Sequence, residues 1–240
     1  MGSKGIVADC CETSQIVNIT IKKPTPRYIN EFIGLKCAPD LLLANIYPDA
    51  KEITESMGAY NAVRSCLRRD FPLNDPSTTM LAVADGSTPR TGALFAFRSK
   101  WGCISVDPNM QDKPGSLERW KKISRLHTHR LTIQDFLENQ DMCYSPKLVI
   151  AAVHSHVSLQ DICEAVRSHP NVAIIAMPCC IDLSLQAKPV AEYEDWSIWS
   201  PERTVRIYCG FIHRGKFYNQ QYPLIPRLQK DAEPEEYYSD

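Results

Sequence analysis

The middle of the chain is punctuated by four short apolar runs, at residues 80–84 (MLAVA), 103–106 (CISV), 148–153 (LVIAAV) and 172–177 (VAIIAM). Each run stops at polar or turn-forming residues. Runs of this length and composition are what parallel strands covered on both faces look like. Between them lie residues 91–100, 115–124 and 159–168, all of helical length, and a weaker strand candidate at 129–133. Strand alternating with helix implies right-handed βαβ units and an open parallel sheet.

The flanks have a different pattern. Residues 16–22 (IVNITIK) alternate and are β-branched, which predicts a strand ended by Pro24 and Pro26. Residues 38–70 read mostly helical. Ile53, Met57, Tyr60, Val63, Cys66 and Leu67 recur at steps of three and four, with Thr54 as a candidate N-cap. Further on, Asn74-Asp75-Pro76-Ser77 reads as a turn. Near the end, residues 196–199 and 204–211 flank Ser200-Pro201-Glu202-Arg203, which predicts an antiparallel hairpin on the parallel sheet. The expected division is an N-terminal extension over 1–45, one α/β domain over 46–225, and an acidic tail over 226–240 that is expected to be mobile.

Composition narrows the class. The 240 residues suffice for one large domain. Hydrophobic residues at 44% and charged residues at 23% are ordinary for a soluble globular protein. The formal net charge of -1 gives no global basic field, so nucleic acid would have to meet a local patch. No apolar run approaches the roughly 20 residues of a membrane span, so no membrane partner is expected. Gly2 fits a lipidation signal poorly, because Ile6 stands where Ser or Thr is required. The ten cysteines include the adjacent pairs Cys10-Cys11 and Cys179-Cys180 but no C-x-x-C. Several sit in apolar stretches, where free Cys acts as a small hydrophobe. A reducing, cytoplasmic setting is expected.

Candidate chemistry gathers where the runs end, because open α/β sheets bind ligands at the carboxyl ends of their strands. The first run leads into Asp85-Gly86-Ser87-Thr88-Pro89-Arg90-Thr91-Gly92. A Gly there lets backbone approach a ligand, and Thr91 could cap the helix that follows. After the second run come Asp107 and Pro108, with Asp107 about 20 residues beyond Gly86, the spacing at which an acid accepts from a ribose diol. Gln134, Asp135 and Phe136 follow the weaker strand. An Asp there can accept from an exocyclic amine with Phe136 against the ring, or simply cap a helix. The third run leads into His154-Ser155-His156, and the fourth into Pro178-Cys179-Cys180. On an extended segment His154 and His156 point to opposite faces, with no adjacent third ligand, so no metal is expected. His154 has the intrinsic pKa of a general base. His156 and Cys179 are further catalytic candidates, and a Cys–His nucleophilic pair is conceivable, although nothing marks an oxyanion hole.

The series Asp85-Gly86, Asp107, Asp135 at three successive strand ends resembles the cofactor motifs of class I S-adenosylmethionine-dependent methyltransferases. The resemblance covers about residues 50–215. It implies a Rossmann-like, mostly parallel seven-stranded sheet with a C-terminal antiparallel hairpin and helices on both faces. It further implies S-adenosylmethionine as cofactor, held by Asp85, Gly86, Ser87, Thr88, Arg90, Asp107, Pro108, Gln134, Asp135, Phe136 and His154. His154–His156 followed by Pro178-Cys179-Cys180 is similar to a subgroup that includes tRNA methyltransferases, which implies RNA or an RNA-associated complex as partner. The basic stretch Lys121, Lys122, Arg125, His127, His129 and Arg130 could meet phosphates or be a solvated face. The chain departs from the family in its long, bulky first loop, where Pro89 and Arg90 could crowd the cofactor or Arg90 could grip its carboxylate. Three readings follow: a methyltransferase, a non-catalytic module of the same fold with a protein partner, and a nicotinamide-dependent oxidoreductase. Against the last, residues 86–92 do not spell G-x-G-x-x-G.

Overall fold

A computed structural model describes residues 23–111, 113–138 and 145–219. The expected strand at 16–22, the tail at 226–240, and Cys10, Cys11 and Cys143 lie outside the described residues. Three helices come first: α1 (Arg27–Ile33), α2 (Ala38–Leu43) and α3 (Ala50–Ala62), the last continued by a π-helical turn, Val63–Leu67. The alternating part follows as β1 (Thr78–Val83), α4 (Arg90–Arg98), β2 (Gly102–Val106), α5 (Pro114–Lys121), β3 (Leu126–His129), α6 (Ile133–Glu138), β4 (Lys147–Val153), α7 (Leu159–Val166) and β5 (His169–Met177). β6 (Ala191–Glu194), β7 (Thr204–His213) and β8 (Lys216–Asn219) complete the sheet.

The strand order is β3-β2-β1-β4-β5-β7-β6, with β8 on β7. β1 to β5 are parallel, and β7 runs antiparallel to β5, β6 and β8. This is the expected Rossmann-like α/β architecture with one strand added. Residues 204–207 of β7 pair β6, and residues 210–213 pair β8. The order reverses between β1 and β4, which is the switch point of a doubly wound sheet.

Strand alternation sorts the core into two halves. Met80, Val149, Ala151, Ala173, Ile175 and Met177 face one core, which α1 to α5 cover. Leu81, Leu148, Ile150, Val172, Ile174 and Ala176 face the other, under α6 and α7. The period of two in a strand produces this division, so a single apolar run serves both layers. Tyr28, Phe32, Leu35 and Leu41, from α1 to α2, belong to the first core.

Three local expectations change. The N-cap of α3 is Asp49, whose carboxylate accepts from the Glu52 N–H at 3.0 Å. Thr54 instead donates to the Lys51 carbonyl and accepts from the Trp199 N–H, tying the helix to the C-terminal part of the chain. The weak strand at 129–133 is displaced to β3, because the Thr132 hydroxyl accepts from the Asp135 N–H and so starts a helix. Residues 196–199 form a loop rather than a strand. There Asp195 accepts from the Ser197 and Ile198 N–H groups, while the Trp199 indole donates to the Thr25 carbonyl.

Candidate functional site at the carboxyl ends of the strands

β1 and β4, on either side of the switch point, are each followed directly by a left-handed residue. Ala84 has φ 54° and His154 has φ 50°. Side-chain-bearing residues rarely adopt this conformation, and it costs on the order of 1–3 kcal/mol at each position. Neighbouring strands hold both in place. The Ala84 N–H donates to the Val106 carbonyl and the His154 N–H to the Met177 carbonyl, each at 2.8 Å.

Asp85 follows Ala84 and is buried. One carboxylate oxygen accepts from the Thr91 N–H at 2.9 Å. The other accepts from the Gly92 N–H at 3.1 Å and the Ser105 hydroxyl at 2.8 Å. Helix α4 has no cap from its own N-cap residue, Pro89, so Asp85 rather than Thr91 supplies the acceptors that its first turn requires. Burial pushes the Asp85 carboxyl up to about 6, against the pull of those donors. Gly92 has to be glycine, since a Cβ there would stand 2.1 Å from the Ser105 oxygen.

Gly86 has φ 88°, and its N–H donates to Asp107 Oδ2 at 2.9 Å. Asp107 Oδ1 accepts from the Asn109 N–H at 2.6 Å. The ends of β1 and β2 are thus tied together by the two residues that the sequence singled out. Arg90 lies over this turn. Its Nε donates to the Asp85 carbonyl at 2.8 Å, and its guanidinium pairs with Glu52 of α3. A Cβ on Gly86 would stand 2.5 Å from that guanidinium. Ser87 is exposed, and its carbonyl accepts from the Gln111 N–H. The buried Thr88 hydroxyl donates to the Ile46 carbonyl at 2.6 Å.

The residues after β3 part company. Asp135 is exposed and accepts from the Thr132 hydroxyl at 2.7 Å. Phe136 is buried in the second core, its ring 4.7 Å from that of His129. Gln134 lines a 210 Å³ cleft between α6 and α7, with Glu138, Asp161 and Arg167. Pro108 is exposed.

His154 turns towards α3, with Nε2 3.3 Å from Glu55 Oε1. Burial lowers its pKa and outweighs the opposing pull of Glu55, so the imidazole is neutral near physiological pH. Glu55 also pairs with Lys51 at 3.1 Å. His156 points elsewhere, its Nε2 3.6 Å from Cys180 Sγ, which stands 3.5 Å from Cys179 Sγ. The Cys179 thiol lies 3.7 Å from the His154 carbonyl.

Sequence reasoning passed over Glu52 and Glu55. The available signal was their spacing of three, which puts both on one helix face, with Glu55 inside the apolar periodic stretch of that helix. Together the strand ends assemble a carboxylate (Asp107) beside a close-approach glycine, a cation above them, and a neutral imidazole facing a carboxylate.

Comparison with solved structures returns similar folds. A mutant of MtNAS in complex with S-adenosylmethionine shares 9% identity over 78% of this chain and 70% of that chain, with a TM-score of 0.46. A cyclopropane-fatty-acyl-phospholipid synthase-like protein from Lactobacillus casei shares 10% over 63% and 60%, with a TM-score of 0.38. A putative S-adenosylmethionine-dependent methyltransferase from Listeria monocytogenes shares 14% over 52% and 54%, with a TM-score of 0.33. Likenesses this distant do not assign an activity. No family model matches the chain, and no curated protein matches it.

Proposed function

We propose that the chain is an S-adenosylmethionine-dependent methyltransferase that holds its donor over the ends of β1 and β2. One observation carries the reading: at the switch point of the sheet, the Asp107 carboxylate accepts from the Gly86 N–H. A carboxylate has about four acceptor sites, and backbone donors take two of them here, so one on each oxygen is left for a ribose diol. These acceptor positions fit the hydroxyls of the nucleoside's ribose. Asp85 acts one step back, by holding the loop in shape. Asp135, exposed in the first turn of α6, is the acceptor for an adenine amine.

S-adenosylmethionine supplies an electrophilic methyl group, and its transfer needs chiefly the alignment of an acceptor atom. His154, neutral and partnered by Glu55, takes the acceptor's proton where there is one to lose. The finer reading is an RNA acceptor. Exposed Lys121, Lys122, His127 and Arg130 run from the end of α5 to just past the edge strand β3, and Arg125, also exposed, donates to the Ala96 and Ser99 carbonyls.

A second reading rests on Arg90. Its guanidinium fills the space beside Gly86, as a loop that occludes the pocket of a non-catalytic module would. Calorimetric titration with S-adenosylmethionine, S-adenosylhomocysteine and NADH separates the two readings. Micromolar binding of the first two, lost in Asp107→Ala, is the expected result. Binding that survives Asp107→Ala overturns the ribose assignment. Binding that appears only in Arg90→Ala selects the occluded module, and binding of NADH alone selects the oxidoreductase.

A further inference from the structure

We infer that His156, Cys179 and Cys180 form a binding site for a single zinc ion, at the carboxyl ends of β4 and β5. Strand pairing assembles it. Val153 of β4 sits opposite Met177 of β5, so the residues just past each strand emerge side by side. The His154 N–H donates to the Met177 carbonyl and extends the ladder by one step, and the left-handed turn at His154 then swings the chain around. Fully buried Ser155 anchors that turn through the Val157 N–H at 3.0 Å. His154 is therefore committed to α3, and the exposed His156 is presented to the Cys-Cys pair.

The distances match one tetrahedral ion. Zinc bonds of about 2.3 Å to sulfur and about 2.0 Å to nitrogen place two sulfurs about 3.8 Å apart, and sulfur and nitrogen about 3.5 Å apart. The observed separations are 3.5 Å between the two sulfurs and 3.6 Å between Cys180 Sγ and His156 Nε2. The three ligand atoms all lie within 4.8 Å of one another. Two thiolates and an imidazole are the donors that a borderline-soft divalent cation selects over magnesium or calcium. Among the described residues no fourth His, Cys, Asp or Glu joins the group. Cys179 is partly exposed and the other two ligands are exposed, so the fourth position faces solvent, as in zinc sites that keep one place open. Sequence alone offered no third ligand beside the two histidines, because the sulfurs arrive from the neighbouring strand.

The test uses the full chain, purified with a phosphine reductant and without methyl donor, so its result is independent of the proposed transfer reaction. Metal is counted by mass spectrometry after zinc loading and gel filtration. Cobalt(II) loading is followed by its thiolate charge-transfer and ligand-field absorption. The expected result is one tightly held zinc per chain and a tetrahedral, thiolate-ligated cobalt spectrum. Both are lost in Cys180→Ser and in His156→Ala, and both are kept in Cys66→Ser, which alters an exposed thiol elsewhere. Circular dichroism confirms that the variants fold. If one does not, Cys179→Ser replaces it. A wild-type spectrum without thiolate charge transfer, or stoichiometric zinc that persists in Cys180→Ser and His156→Ala, overturns the assignment.

Discussion

Asp85 is a buried carboxylate surrounded by donors, and its protonation reports on folding. Its carboxyl sits at about 6 in the folded chain, above the ordinary value of about 3.9 for an unfolded one. The folded state therefore binds this proton more tightly. The contribution to stability is full below about pH 4 and is lost as pH rises through about 6. Urea unfolding at intervals between about pH 4 and about pH 7 should show wild type losing roughly 3 kcal/mol more than Asp85→Asn over that window. Parallel profiles for the two proteins would show that Asp85 does not titrate as described. The sequence marked Asp85 as a residue of the strand-end loop, but its partners were not legible. Ser105 comes from the neighbouring strand and the Thr91 and Gly92 N–H groups from the next helix, so the carboxylate caps a helix from outside it.

At the scale of elements, the caps divide into the local and the distant. Asp49 before α3 and Ser158 before α7 cap their own helices, the Ser158 hydroxyl accepting from the Asp161 N–H at 3.1 Å. Helix α7 presents Leu159, Ile162, Cys163 and Val166 to the second core. Ser158→Ala should cost about 1 kcal/mol, read as a lower urea midpoint with unchanged slope. An unchanged midpoint would mean that packing alone fixes the helix start. The four strong strands were readable because each has a neighbouring strand on both sides and is largely buried, and so writes itself as a mostly apolar run. Edge strands β3 and β6 were misplaced by a few residues. Half-exposed edges carry mixed polar patterns, and local acceptors such as Thr132 and Asp195 decide their ends.

For the whole molecule, the first core is closed by residues that precede the alternating part. Phe32 meets Tyr47 edge to face at 5.4 Å, Leu41 and Ile46 are fully buried, and the Tyr28 hydroxyl donates to Asp195 near the end of β6. Fully burying each such side chain is worth about 1.5–3 kcal/mol, so their combined loss is comparable to the whole stability of a domain. Removing residues 1–47, which takes away Tyr28, Phe32, Leu41, Ile46 and Tyr47, should abolish the cooperative thermal transition of the remaining chain. A truncated protein that melts as sharply as the full one would show that this layer is dispensable.

Taken by itself, the sequence determined the class of fold, the approximate strands and helices around the switch point, and the strand-end positions where polar residues gather. These follow from periodicity and turn chemistry, which are local properties of the chain. Only the tertiary structure decided what those positions face. Strand order brings Gly86 to Asp107, packing of α3 brings Glu52 to Arg90 and Glu55 to His154, and the β4–β5 pairing brings His156 to Cys180. Each of these pairs joins segments far apart in the chain. Their meeting depends on which strands become neighbours, and that is fixed by burying two apolar faces at once rather than by any local pattern.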